Sequence, residues 1–265
     1  MKTITQKEIG QRISKLRRNK GYSQDELAKI IGISRPSLTQ IELGNRNLSV
    51  IEIKKLADNL SISIDRLLSA NFGIEDITLE QEDSNEKQEL RISVPDLKVE
   101  KFKDILLYIL GKCAGKPNVG ETLLYKLLYF SDFNYYELYE EHLSGAEYRK
   151  LPYGPVPQRL DSIINHMISK KMLIRLKTKY HGYPQTRYIP LSKPNLTNLK
   201  ASEKDIIDKV IEQYSDWSAS AISEYSHKDM PWLASKDGEL IDYELAFYRE
   251  YPYSVRNYEE NTDAL

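Results

Sequence analysis

Apolar residues recur at helical spacing in five short windows over the first 68 residues. Ile9, Ile13 and Leu16 mark a first helix closed by Gly21, and Leu27, Ile30 and Ile31 mark a second. Leu38 and Ile41 belong to a third, while Ile51, Ile53, Leu56, Ala57 and Leu60 outline a fourth. Ile64, Leu67 and Leu68 form a short fifth. Ser23 with Glu26 and Ser49 with Glu52 have the spacing of capping boxes, and Ser34 and Ser63 are N-cap residues in their own right. From about Ser69 to Asp96 the periodicity dissolves into an acidic, polar segment. Two readings stay open there: a plain linker in which ELRISVP could add a short strand, or an arm that orders on a partner.

Helical spacing resumes with Phe102, Ile105, Leu106, Ile109, Leu110 and Cys113, a single stripe for the core. A second long helix follows over roughly 120–140, with Leu124, Leu127 and Leu128 as its core side. Its tyrosines are too many for all to be buried, and Tyr135 and Tyr136 read as contact residues. YRKLPYGPVPQRL gives a proline-flanked turn that opens a helix at Val156, with Leu160, Ile163, Ile164 and Met167 inward. Two β-prone runs around His181-Gly182-Tyr183-Pro184 predict a hairpin. Ser202 with Asp205 predicts the cap of a late helix, and the tail after Arg256 is polar and reads as frayed. The expected fold is therefore mainly α. It has an N-terminal five-helix bundle over 1–70, a linker over 71–98, and a mostly helical domain with a small β-hairpin over 99–256.

Within the bundle, SQDELAKIIGISRPSLTQIELGNRN reads as two helices joined by a tight turn. Gly32 ends the first and Gly44 the second, and Pro36 sits where its missing N–H costs nothing. Leu38 and Ile41 face inward, which leaves Arg35, Ser37, Thr39 and Gln40 outward. These are the side chains that read base edges in a major groove, on the second helix of a helix-turn-helix.

Charge divides the chain. Residues 1–68 hold 13 Lys and Arg against 7 Asp and Glu, a balance of +6 that leaves −7 for the rest of a chain with net charge −1. A basic first domain suits a phosphate backbone, whereas the acidic remainder is expected to be repelled by DNA and to serve another partner. Lys15, Arg17 and Arg18 on the first helix are candidates for phosphate contact, or simply a solvated basic face. One cysteine, Cys113, excludes an internal disulfide and a cysteine-based zinc site. With no apolar run long enough for a membrane and no signal-peptide core at the start, a cytoplasmic protein without membrane contact is expected.

On the residues just quoted, roughly residues 6 to 68 resemble the Cro and lambda-repressor-like, or XRE, helix-turn-helix family. The resemblance implies a dimeric, operator-binding domain in which Gln24 binds phosphate and braces the reading helix. It places the base-reading positions on Arg35, Pro36, Thr39 and Gln40, and the full candidate DNA-binding set is Gln24, Ser34, Arg35, Ser37, Thr39, Gln40, Asn45 and Arg46. Pro36 departs from the polar residue usual there. KLLYFSDFNYY, then EYRKLPYGPVP, and much later SHKDMPWLASKDGELIDY are similar to the SocA or Panacea family. That family implies the antitoxin half of a toxin–antitoxin pair, which binds a cognate toxin and, fused to a helix-turn-helix, represses its own operon. The candidate toxin-binding residues are Tyr129, Asp132, Tyr135, Tyr136, Tyr153 and Trp232. Gly154 and Pro155 read as scaffold, and Trp232 as packed against their turn.

No catalytic chemistry emerges. His142, His166, His181 and His227 show no metal-ligand spacing, and no nucleophile motif is present. His227 near Asp229 fits a helix-end hydrogen bond better than a general-base pair. Neither a catalytic residue nor a metal nor a cofactor is expected. A phage or mobile-element repressor with a C-terminal sensing or oligomerisation domain is the competing expectation.

Overall fold

A computed structural model describes residues 4–69, 72, 95–113 and 115–256. The chain divides into two compact units, Met1–Leu90 and Arg91–Leu265. Most of the segment read as a linker, the strand within ELRISVP and the tail after Arg256 lie outside the described residues.

Five helices make the first unit: α1 Gln6–Asn19, α2 Gln24–Ile31, α3 Arg35–Leu43, α4 Val50–Asn59 and α5 Ile64–Leu68. Local sequence sets their ends. Thr5, Ser23 and Ser49 each form a capping box with the glutamate three residues on, and Ser34 and Ser63 cap α3 and α5. Gly32 and Gly44 close α2 and α3 in the left-handed region, at φ of 78° and 77°. Ile13, Leu27, Ile31, Leu38, Ile41, Leu56 and Leu67 close the core. Gly10 has a steric reason, because a β-carbon there would stand 2.3 Å from the carbonyl oxygen of Ile41, so α1 and α3 meet backbone to backbone.

The second unit is mostly helical: α6 Val99–Cys113, α7 Glu121–Tyr139, α8 Leu160–Ser169, α9 Ala201–Tyr214, α10 Ala219–Ser226 and α11 Met230–Ala234. Two antiparallel hairpins, rather than the single one expected, join them: β1 Tyr148–Leu151 with β2 Gly154–Pro157, and β3 Leu173–Tyr180 with β4 Tyr183–Pro190. The segment 238–241 lies along the free edge of β1, where Lys150 N–H donates to Glu239 and Ile241 N–H to Tyr148. The helix expected from Val156 begins instead at Leu160, because Gly154, at φ 95°, turns residues 154–157 back onto β1. The cap of α9 is Lys200 rather than Ser202, and its backbone N–H donates to the Glu203 carboxylate at 2.8 Å.

Helix α7 is the axis of this unit. It packs against α9, α10, β2, β4 and the 3-10 turn Tyr243–Tyr248, and every residue from Leu123 to Glu137 is buried. A helix covered on all sides has no outward stripe. The six-residue stripe of α6 is buried as expected, and the Cys113 thiol donates to the carbonyl of Ile109.

Candidate functional site

At the start of α3 the Ser34 hydroxyl accepts the Ser37 N–H at 3.2 Å and lies 2.9 Å from the Ser37 hydroxyl. That cap fixes the first turn, so Arg35, Pro36 and Gln40 stand exposed while Leu38 and Ile41 are buried. Among the described residues, none pairs with the Arg35 guanidinium. Gln40 accepts from Asn45 Nδ2 at 3.1 Å, which orients its amide along the exposed face. Arg46 is held by Glu52 at 2.8 Å.

Behind this face lies a polar brace. Gln24 Nε2 donates to Glu42 at 2.8 Å, and the Thr39 hydroxyl donates to Gln24 Oε1 at 3.3 Å and to the Arg35 carbonyl at 3.1 Å. Glu42 also receives Arg17, at 2.6 Å from Nε and 3.1 Å from Nη2. Burial opposes the charge on Glu42, yet the bonds from Arg17 and Gln24 outweigh it and hold the carboxyl below the usual range. The first helix therefore does not offer Arg17 to a phosphate, contrary to expectation: this side chain is buried and also donates to the Tyr22 carbonyl. Lys15 and Arg18 remain on the outer side of α1 with Gln11, Ser14 and Asn19.

Most of the C-terminal candidates are buried. Tyr129, Asp132, Tyr135 and Tyr136 are 0%, 1%, 1% and 2% exposed, so none of the four offers a surface to a toxin. The leucines fill one side of α7, but other elements cover its remaining sides and supply acceptors for the tyrosine hydroxyls. Tyr129 donates to Asp229 at 2.8 Å and Tyr136 to Glu244. Asp132 accepts from the Ser144 N–H, the Ser144 hydroxyl and Tyr148. Burial pushes its carboxyl up to about 6 against those hydrogen bonds. Asp229 is no partner for His227, since it belongs to a buried ion cluster with Arg249 at 2.5 Å. Arg249 also reaches Asn134 and Glu137, and Glu137 in turn receives the Ser254 hydroxyl and the Val255 and Arg256 N–H groups.

Two of the six candidates remain at the surface, both beside the β1–β2 turn. Tyr153 is 59% exposed at its tip and Trp232 is half-buried. The Trp232 ring stacks on His227 at 4.3 Å, and the Lys150 ammonium lies 3.9 Å from its centre. Beneath the turn is a residue that sequence reasoning missed. Lys126 is fully buried and donates to the Pro155 carbonyl at 3.0 Å, and burial pulls its pKa down to about 7. A β-carbon on Gly154 would stand 2.7 Å from Lys126 Cε and 2.5 Å from Ser226 Oγ, so only glycine fits. The signal was a lone lysine inside LLYKLLY, on the side that meets the YGP turn. Burial first, then Lys126 and Lys150, lower the pKa of His227.

Among the described residues no group of three or more His, Cys, Asp or Glu could hold a metal, and no helix is long and apolar enough to cross a membrane. The geometry defines a braced, outward-facing α3 on one unit and a second helical unit built around a buried polar axis. The pattern for "Helix-turn-helix" matches residues 13–67, and that for "Antitoxin SocA-like, Panacea domain" matches residues 124–233. The uncharacterized HTH-type transcriptional regulator YazB of Bacillus subtilis is 48% identical over 58 residues, which are 22% of this chain and 84% of that protein. The SPbeta prophage-derived uncharacterized HTH-type regulator YonR, also of Bacillus subtilis, is 32% identical over 107 residues, 39% of this chain and 94% of the relative. Similar solved structures include the restriction-modification controller C.AhdI of Aeromonas hydrophila, with 40% identity and TM-score 0.23 over 23% of this chain and 94% of that one. The biofilm regulator SinR, crystallised with DNA, is 39% identical with TM-score 0.22 over 23% and 98%. This chain belongs to the XRE-type helix-turn-helix transcriptional regulators and carries an antitoxin SocA-like Panacea domain as its second part.

Proposed function

We propose that this regulator is an autoregulating antitoxin. Its first unit binds operator DNA as a homodimer through Arg35, Ser37, Thr39 and Gln40, and its second unit binds and neutralises a cognate toxin. The observation that carries the reading is the braced, outward face of α3 in a chain that also holds the Panacea domain. With Tyr129, Asp132, Tyr135 and Tyr136 buried, the toxin-facing candidates reduce to Tyr153 and Trp232 around the β1–β2 turn. Exposed Leu233 and Leu240 lie beside them in sequence and along the β1 edge, and they extend the apolar area.

Co-expression with the product of the adjacent open reading frame tests the proposal. Growth arrest by that product alone, relieved by this chain in a stable complex, is the expected result. A neighbour that is harmless alone and does not co-purify refutes it. A second reading, a prophage repressor whose C-terminal unit senses a ligand or serves oligomerisation, draws support from the prophage-derived relative YonR. A lysogeny module beside the gene, with no toxic neighbour, would favour that reading.

A further inference from the structure

The near-neutral balance of the second unit conceals a segment of one sign. Between Asp161 and Glu203 there is no Asp or Glu, while Lys170, Lys171, Arg175, Lys177, Lys179, Arg187, Lys193 and Lys200 all fall there. Residues 91–265 hold 24 Lys and Arg against 25 Asp and Glu, a balance of −1, so removing these eight cations leaves −9 on the rest of the unit. This cationic segment is the β3–β4 ribbon with its flanks.

Its root is tied down. Leu173 and Tyr188 are buried, the Tyr188 hydroxyl meets Glu121, and Arg187 and Gln185 donate to the carbonyls of Lys116 and Asn118 along the β4 side. Glu121 and Asp161 are the acids that raise the Tyr188 pKa further after burial, at that root. On the β3 side α8 packs against the strand and Arg175 donates to Asn165 at 2.9 Å, while Lys170, Lys171, Lys177 and Lys179 are exposed. Arg175, Lys177 and Lys179 alternate along one face of β3, as period-2 side chains do. The two-residue turn has φ of 47° at His181 and 84° at Gly182, and it presents Tyr183, 76% exposed.

Lysine on an edge strand commonly blocks strand-to-strand aggregation. That role needs one or two charges of either sign, and it does not require acids to be absent over the whole segment. Uniform sign favours a polyanion, and a two-stranded ribbon is a shape that a duplex major groove admits.

We propose that the β3–β4 ribbon is a second nucleic-acid contact, which grips the phosphate backbone of duplex DNA through Lys170, Lys177 and Lys179. It goes beyond α3 as the reader of sequence, and adds a sequence-independent contact. Because the ribbon is covalently linked to α3, even weak phosphate contact raises total affinity.

The test uses the full-length protein and duplexes of operator and of scrambled sequence, titrated over a salt series. A Lys170→Gln, Lys177→Gln, Lys179→Gln triple variant should bind both duplexes more weakly. Its slope of log K against log salt should be shallower by about 0.9 for each phosphate no longer neutralised. The matching Lys→Arg triple should restore wild-type affinity and slope, while an Arg35→Ala, Gln40→Ala variant should lose operator preference and keep the ribbon's share of the slope. A Gln triple that melts with the wild type and keeps its affinity and slope overturns the proposal and leaves the α3 reading intact. So does a Gln triple with unchanged DNA binding that no longer counters the toxin, since the ribbon would then face a protein. Failure of the wild type to bind either duplex overturns both readings.

Discussion

Lys126 donates a hydrogen bond to the Pro155 carbonyl from a fully buried position, and desolvation brings its pKa down to about 7. The bond ties the first third of α7 to β2, just past the β1–β2 turn.

A pH dependence follows from that burial. The Lys126 ammonium binds its proton more weakly in the folded chain, at about 7, than at its ordinary value of 10.5. Between those values the unfolded state holds more protons, so this group's contribution to stability rises as pH increases from about 7 to about 10.5, and is at its least favourable below 7. Lys126→Met removes the penalty. Relative to wild type, its unfolding free energy should therefore compare better at pH 6 than at pH 9, by an amount on the order of 2–5 kcal/mol. A wild-type-to-variant difference that stays constant across this range would show that Lys126 does not titrate there.

Arg249 is the cation of the buried cluster, with Asp229 and Glu137 both fully enclosed around it. Arg249→Met strands two carboxylates without their counter-charge, and should lower unfolding free energy by about 3–5 kcal/mol in urea titrations. Lys209→Met, which breaks an exposed pair with Asp205, should change it by less than about 1 kcal/mol. Equal effects from the two would contradict the burial argument.

On the reading helix, Arg35→Ala or Gln40→Ala should cost about 1–3 kcal/mol at the operator and flatten base preference in a binding-site selection. Gln24→Ala acts through Thr39 and Glu42, so it should weaken operator and scrambled duplex alike. A loss at Arg35 that is the same for every sequence would remove its reading role.

Tyr153→Ala should abolish protection from the toxin while the melting temperature stays at the wild-type value, because this side chain is solvent-exposed. Tyr136→Ala instead removes a buried ring from between Phe247 and Tyr243, and should destabilise the unit by about 3–5 kcal/mol. Full protection by Tyr153→Ala would move the toxin contact away from the turn.

The first unit was largely legible because its instructions are local. Ser23, Ser34, Ser49 and Ser63 each meet a partner three residues away, and Gly32 and Gly44 act on their own backbone. Arg17 escaped because its partner, Glu42, lies two helices further on. In the second unit the decisive partners are more distant still. Tyr129 and Tyr136 are buried only because Asp229 and Glu244 arrive about a hundred residues later, and nothing near them in sequence announces those acceptors. The β1–β2 hairpin was hidden by its prolines, which are poor strand residues but can stand where a ladder needs no N–H.

The cluster around Arg249 makes the second unit's persistence hinge on a short stretch of residues near the C-terminal end. A protease that cuts between Asp242 and Arg249 frees a fragment bearing both the guanidinium and the three residues seated on Glu137. Once that fragment diffuses away, α7 retains enclosed anions with nothing to balance them.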